Sequence, residues 1–438
     1  MNLRHAGRLV VCVLLFACGA CGAHPNERVV PVQTPSGILK IKHIVWIMQE
    51  NRSFDNLFQG YPGADTSSTG QDSFGHTIAL RPIPFTSGYD ISHTSVAHFA
   101  ACNGTGSIPG TDCRMNGFNL EQTYCSGRCP TNPEYGYVPH VETRPYFAMA
   151  RQYVLGDRMF ASNVDMSYVS HQYMIAGQAN RAVDFPGSAW HCGVPGDKIF
   201  TLTDKRTYGP QIPVCQNYRT LGDELDAAGL SWRLYSASKV SQWVGYGSIH
   251  HIRYGRAWNE NVVGSSVRVI VDVAQGRLAD VTWVTPSFQN SDHNAFGSPT
   301  GPEWVADVVN AIGESPFWNS TAIFVMWDEW GGWYDHVKPP YLDFDGLGFR
   351  VPLLVISPYA KRGYVTHVRY EHGSLLKFIE DRFDLPRLSA ADTRANSPAF
   401  DCFDFTQSPR KFQPIGKPLS VQEALRMERN ESAEEPDT

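Results

Sequence analysis

Three polar clusters in this chain each follow an apolar run. Gln49-Glu50-Asn51-Arg52-Ser53-Phe54-Asp55 comes directly after residues 41–48, and Asp328-Glu329-Trp330-Gly331-Gly332-Trp333-Tyr334-Asp335-His336 directly after residues 322–327. Asp292-His293 comes a few residues after the run at 281–285. Such compact apolar runs read as buried strands, and in an open α/β sheet the carboxyl ends of strands converge on a ligand crevice. Converging there, Glu50, Asn51, Asp328 and Glu329 would bring three carboxylates and an amide oxygen together. Such a group repels itself or holds protons unless a cation joins it. A hard divalent ion resolves the conflict: Mg²⁺, Mn²⁺ or Ca²⁺ is favoured by the oxygen ligands, with Zn²⁺ the softer alternative. Taken singly, each residue reads equally well as a helix cap or a surface charge; joint placement after two buried strands makes the metal reading. Gly331-Gly332 adds a turn without side chains, over which a substrate can approach the backbone closely.

A nucleophile belongs beside such an ion, and residues 157–177 (DRMFASNVDMSYVSHQYMIAG) offer Ser162, Ser167 and Ser170. Chemistry alone allows all three. Ser167 is preferred because it stands where a polar loop meets an apolar-rich segment. That is a helix start, with free backbone N–H groups suited to an anion such as phosphate; the competing reading is a plain serine N-cap. A helix terminus is worth roughly 0.3–1 kcal/mol and cannot ionise an alcohol near neutral pH. A bound metal, by contrast, takes coordinated water from a pKa of about 15.7 to about 7. Metal therefore has to do most of the activation. His93, His98, His171, His293, His336 and His372 lie near these clusters in sequence and could protonate a leaving alcohol or pair with phosphate oxygens. His293 and His336 rank first among them, with satisfied structural histidines as the alternative.

The elements that position these residues are legible as strand-like runs at 41–48, 230–235, 281–285, 322–327 and 352–356. Most are continuous rather than alternating, which suits strands covered on both faces of a parallel sheet. Helical segments lie between them. Pro145 opens one over 146–155 with Gly156 at its exit, Thr220 caps 221–228, Pro302-Glu303 starts another, and Ser374 begins 375–383. The alternation predicts an α/β fold: a doubly wound, mostly parallel sheet with helices on both faces. Residues 65–137 differ, being rich in Gly, Ser, Thr and Pro with four cysteines, and read as a loop-rich insertion over the strands' carboxyl edge.

Composition limits the partners. The 438 residues are 42% hydrophobic and 18% charged, with a net charge of −6. That is ordinary globular material with no basic face for nucleic acid. Arg4 and Arg8, the apolar run 9–17 and the small residues 18–23 have the layout of a signal peptide over 1–23, too short to span a bilayer. Residues 15–18 also resemble a lipoprotein cleavage box ending in Cys18, which makes a lipid anchor an alternative to free release. A linker over 24–37, a main domain over 38–421 and a polar tail over 422–438 complete the expected organisation. Seven cysteines follow the leader. Cys102/Cys113, Cys125/Cys129 and Cys192/Cys215 are disulfide candidates in an oxidising compartment, leaving Cys402 over. A zinc site at Cys125/Cys129 is the rival reading and lacks a second pair nearby.

At residues 42–55 (KHIVWIMQENRSFD), 322–340 (AIFVMWDEWGGWYDHVKPP) and 348–359 (GFRVPLLVISPY), the chain resembles the bacterial phosphoesterase family of phospholipases C and acid phosphatases, within the alkaline-phosphatase-like superfamily. With the 162–177 segment these motifs span residues 38 to 385. The resemblance implies an alkaline-phosphatase-like fold and metal binding by Glu50, Asn51, Asp328 and Glu329 beside a Ser or Thr nucleophile, which falls on Ser167. It also implies phosphate-site roles for His93, His293 and His336. Better-known branches carry Pro-Asn-Arg shortly after the nucleophile, where this chain has Val169-Ser170-His171-Gln172, and His171 is a substrate-binding candidate there. The implied reaction is in-line attack by Ser167 on phosphorus, a phosphoseryl intermediate, protonation of the leaving alcohol by a histidine, and release by water. The expected substrate is a phosphoester or phospholipid, with a broad phosphomonoesterase and a non-catalytic binding protein as alternatives. Membranes would be met only through that substrate or a lipid anchor.

Overall fold

The computed structural model describes residues 34–295 and 299–431. The leader expected over 1–23, most of the linker and the end of the tail lie outside the described residues. Within them, nine strands form the main sheet: β1 (His43–Gln49), β2 (Val154–Phe160), β3 (Trp232–Ser236), β4 (Val262–Gly264), β5 (Val281–Val284), β6 (Thr321–Trp327), β7 (Arg350–Ile356), β8 (Tyr364–Thr366) and β9 (Tyr370–Glu371). Their order is β4-β3-β5-β1-β6-β7-β2-β8, with β9 also paired to β2. Only β7 runs against its neighbours, so the sheet is mostly parallel, as expected. Every residue of β5, β6 and β7 is buried. Burial on both faces is why these strands read as unbroken apolar runs.

Flanking helices fall into two packed groups. One comprises α3 (Arg144–Gln152), α6 (Arg268–Ala274), α7 (Gly301–Gly313) and α9 (Val421–Glu428); the other α4 (Ser167–Ala176), α5 (Leu221–Ala227) and α8 (His372–Phe383). Two further helices, α1 (Phe54–Phe58) and α2 (Ser95–Cys102), lie in the stretch between β1 and α3. Thr220 caps α5 through a capping box with Asp223, as its position predicts. Ser374 does not open α8. Glu371 is the cap, and Ser374 is its reciprocal partner three residues into the helix.

The helix expected over 146–155 stops at Gln152, because Val154 already pairs in β2. Gly156 is not a helix exit but a mid-strand residue, where a Cβ would approach Leu353 to 3.3 Å. The start of the expected tail is α9, with Ala424 buried and Arg268 paired to Glu428. Residues 65–137 form short pairings rather than bare loop. Thr69–Gln71 pairs with Thr77–Ala79, Tyr89–Ile91 with Thr123–Cys125, and Arg81–Pro82 with Gly136–Tyr137. Disulfides join Cys102–Cys113, Cys125–Cys129 and Cys192–Cys215, which removes the zinc reading, and Cys402 is free and buried.

Candidate active site

β1 and β6 lie side by side and parallel, with Gln49 opposite Trp327. The next residue of each, Glu50 and Asp328, therefore emerges at the same carboxyl edge. The two exit loops are stitched together: Asp328 N–H donates to Gln49 O at 2.9 Å, Arg52 N–H to Glu329 O at 3.1 Å, and Asn51 N–H to Asp328 Oδ1 at 2.8 Å. Asn51 adopts φ 56°, left-handed backbone that asparagine tolerates better than most residues. Gly331, at φ +63°, lies so close that a Cβ there would be 2.1 Å from Asn51 O. Side-chain-free backbone at Gly331 is thus what lets the two loops meet.

The third element is α4. Met166 is its N-cap without a side-chain cap bond, so Ser167 is the first helical residue and not a capping serine. Its hydroxyl donates to Asn51 Oδ1 at 3.3 Å. The other two serines have different partners. Ser162 Oγ donates to Glu371 Oε2 at 2.9 Å, and Ser170 Oγ accepts from Asn163 Nδ2 at 3.1 Å. One turn after Ser167, His171 Nε2 meets Glu50 Oε1 at 2.9 Å. Glu50, His171 and Asp328 each offer an atom within 4.8 Å of the others, all buried.

A divalent cation fits this donor set. Asp328 Oδ2 is buried without a hydrogen-bond partner among the described residues. Burial, and then the neighbouring Glu50 charge, push the Asp328 carboxyl well above the usual range. Two carboxylates and an imidazole would relieve that conflict by sharing an ion, and the mixed O/N set suits Mn²⁺ or Zn²⁺ as well as harder ions.

The four expected ligands divide. Glu50 and Asp328 face each other, whereas the Asn51 amide turns to Ser167 and, through Nδ2 at 3.1 Å, to His93 Nε2. Glu329 Oε2 accepts from Gly331 N–H at 2.7 Å, and its Oε1 is 3.9 Å from His93 Nε2. His93 is fixed by Ile91 O at its Nδ1, 2.7 Å away. His293 packs edge-on to His93 with ring centroids 6.1 Å apart. Its loop is held by Gln49 Oε1, which accepts from Asp292 N–H at 3.0 Å, and by Arg52 Nε, which donates to Asp292 O at 2.6 Å. Asp292 itself is pushed up to about 7 by burial and accepts from Tyr146 Oη and Trp327 Nε1.

His336 is not brought to Ser167. Its ring nitrogens meet Asp55 Oδ2 at 2.6 Å and Asp65 Oδ1 at 3.0 Å, within a cluster holding Asp335 and the buried Arg350. His372 lies beneath β6 against Trp327 O at 3.3 Å and is lowered to about 4 by burial. His98 is buried against Phe349, ring centroids 4.0 Å apart. Two groups had no sequence signal: Arg350 as counter-charge to Asp55 and Asp335, and buried Glu121 beside Glu134 and Glu329. Arg350 meets Asp55 across 295 residues of chain, and Glu121 lies within the aperiodic insertion.

The sequence matches the Phosphoesterase family over residues 41–386. Phospholipase C B of Mycobacterium tuberculosis is 27% identical, with 87% of this chain and 81% of that protein covered. Non-hemolytic phospholipase C of Pseudomonas aeruginosa is also 27% identical, over 81% of this chain and 56% of that protein. Non-specific phospholipase C6 of Arabidopsis thaliana is 25% identical, over 79% and 68%. Among solved structures, a protein in the alkaline phosphatase superfamily from Vibrio parahaemolyticus aligns with a TM-score of 0.35 and 10% identity, over 78% of this chain and 68% of that one. The family match takes in the strands that deliver Glu50 and Asp328 and the helix that opens at Ser167, and the chain belongs to the Phosphoesterase family.

Proposed function

We propose that the chain is an exported, metal-dependent phosphoesterase of the phospholipase C type, with Ser167 as nucleophile. The observation that carries the reading is the buried run of contacts from Ser167 through Asn51 and Asp328 to Glu50 and His171. Glu50, His171 and Asp328 would hold a divalent ion, with Asn51 and Glu329 completing its surroundings. Such an ion supplies charge neutralisation and a lowered hydroxyl pKa at the serine.

This chain's own residues do the rest. Asn51 Oδ1 orients the Ser167 hydroxyl, and the leading N–H groups of α4 face the phosphoryl oxygens. Ser167 Oγ gives its hydroxyl proton to solvent and forms a bond to phosphorus as the bond to the leaving alcohol breaks, and His93 or His293 gives that alcohol its proton. Water then attacks the phosphoserine, returning the serine and releasing the phosphorylated headgroup. The relatives named phospholipase C support a phospholipid diester as substrate. Three disulfides support an oxidising compartment and hence export.

The test compares wild type with Ser167→Ala and His171→Ala on phosphatidylcholine, a chromogenic phosphodiester and a chromogenic phosphomonoester, with bound metal counted by mass spectrometry. Ser167→Ala should lose about 10³-fold or more in kcat and keep its metal; His171→Ala should lose metal. Full turnover by Ser167→Ala would reject the nucleophile, and a preference for the monoester would make the protein a phosphatase.

A further inference from the structure

Of the three disulfides among the described residues, Cys125–Cys129 is built differently. Both of its cysteines are partly exposed, whereas Cys102 and Cys113 of the second bridge and Cys192 of the third are buried. It joins residues 4 apart in sequence, against 11 and 23 for the others. A loop that short removes the least freedom from the unfolded chain, so this bridge contributes least to global stability. Exposed bridges are also the ones that a thiol reaches first. As a staple for the whole fold it is the weakest of the three.

Its position gives it a local task. Cys125 ends the strand Thr123–Cys125, which pairs antiparallel with Tyr89–Ile91, Tyr89 opposite Cys125 and Ile91 opposite Thr123. Cys125 packs on the small cluster of Tyr89, Ile91 and Trp333. Beyond the bridge the chain returns to the same strand, where Pro133 O accepts from Tyr89 Oη at 3.1 Å. At the inner end of the pair, Gln122 O accepts from Ser92 N–H at 2.8 Å, and Ile91 O meets His93 Nδ1 at 2.7 Å. Ile91 also abuts the Gly331-Gly332 turn: a Cβ on Gly332 would stand 2.4 Å from its Cγ2. His93 Nε2 in turn meets Asn51 Nδ2 at 3.1 Å, and Asn51 Oδ1 accepts from Ser167 Oγ. A continuous chain of contacts thus runs from the partly exposed bridge to the buried serine hydroxyl.

We infer that the Cys125–Cys129 disulfide is a redox-sensitive clip that fixes His93, and through Asn51 the Ser167 hydroxyl, and that a dithiol reductant slackens it. The inference deepens the phosphoesterase reading and rests on it for the effect on turnover. In the step, a thiolate of the reductant attacks one sulfur, and the S–S bond breaks with its electron pair leaving on the other cysteine. The reductant's second thiol then attacks the mixed disulfide. The reductant ends as a disulfide, and Cys125 and Cys129 each take up a proton as thiols. Closing so short a loop restricts its chain by a factor on the order of 30. Opening it returns that freedom to the end of the Thr123–Cys125 strand and leaves the other two bridges in place.

The test is stepwise reduction of the metal-loaded protein with dithiothreitol, followed at each step by alkylation and peptide mass spectrometry. Hydrogen–deuterium exchange, thermal melts and turnover of a soluble chromogenic phosphodiester are read on the same samples. Cys125 and Cys129 should be alkylated first, in protein that is still folded. At that step the peptide carrying residues 89–93 should lose protection and kcat should fall about tenfold, with KM little changed and full recovery on reoxidation. Cys125→Ser/Cys129→Ser should start at the low kcat and lose no more on reduction, which separates the clip from metal stripping by the thiol. A bridge that only staples the fold would instead lower the melting temperature and leave the kcat of the folded protein unchanged. First alkylation at another pair, unchanged exchange at residues 89–93, or wild-type kcat in the double variant would each overturn the clip. Loosening of residues 89–93 on reduction, in a protein that cleaves no phosphoester even when oxidised, would leave the clip standing and overturn the phosphoesterase reading.

Discussion

His336 shows how a residue's surroundings decide what it can do. Burial alone would lower its pKa, but hydrogen bonding to Asp55 and the charges of Asp55 and Asp335 outweigh that and raise it to about 9. A ring that keeps its proton at neutral pH between two carboxylates is an ion-pair partner, poorly placed to trade protons with a substrate. Linkage gives the sign of its effect. A folded-state pKa raised above the unfolded value of about 6.5 contributes stability that is complete below about pH 6.5 and lost as pH rises through about 9. The contribution is on the order of 3 kcal/mol before it is discounted for screening at a ring 24% exposed. Thermal melts of wild type should therefore decline between pH 6.5 and 9 by more than those of His336→Gln; parallel curves would show that the ion pair is not formed. The sequence placed His336 beside the reactive groups because it closes the polar cluster that opens at Asp328. It carried no sign that the intervening Gly331-Gly332 turn and Asp335 direct the imidazole towards Asp55 instead. His171 was legible as a polar residue one helical turn after Ser167, but its pairing with Glu50, from a strand more than a hundred residues earlier, was not.

At the scale of elements, the loops after β1 and β6 are clamped at both ends. Near the strands the clamp is backbone to backbone, through Gln49, Arg52, Asp328 and Glu329. Further out, Asp335 Oδ2 accepts from Asp55 N–H at 3.2 Å, and Arg350 from the antiparallel β7 pairs with both carboxylates. Arg350 is fully buried, and its Nη1 also donates to the carbonyls of Asp65 and Asp157. Removing it leaves buried Asp335 without its direct counter-charge and Asp55 with His336 alone, which costs about 3–5 kcal/mol. Arg350→Met should accordingly unfold at lower denaturant with an unchanged m-value; a stability within about 1 kcal/mol of wild type would mean the acids are neutral or hydrated. The central strands were readable because burial on both faces demands continuous apolar residues, as in 322–327. β2 was not: Val154-Leu155-Gly156-Asp157-Arg158-Met159-Phe160 interrupts its apolar residues with a glycine and two charges, and its first two residues looked like the end of α3. That strand tolerates the charges because Asp157 pairs with His367 and Arg158 with Asp65, partners distant in sequence.

The whole molecule brings three distant stretches to one edge of a single sheet: the ends of β1 and β6 and the start of α4. The alternation of apolar runs and helices conveyed the layering, and the strand-end polar clusters conveyed which edge carries the chemistry. Sheet order, the reversal of β7 and the short pairings in residues 65–137 arise from long-range contacts that no local pattern encodes. The central claim is that this convergence makes Ser167 the reactive hydroxyl among three neighbouring serines. Acid-quenching the metal-loaded enzyme during turnover of a phosphodiester, then locating the added mass by peptide fragmentation, tests it most directly. The account predicts a phosphoryl-headgroup adduct on Ser167; an adduct on Ser162 or Ser170 under the same conditions would contradict it.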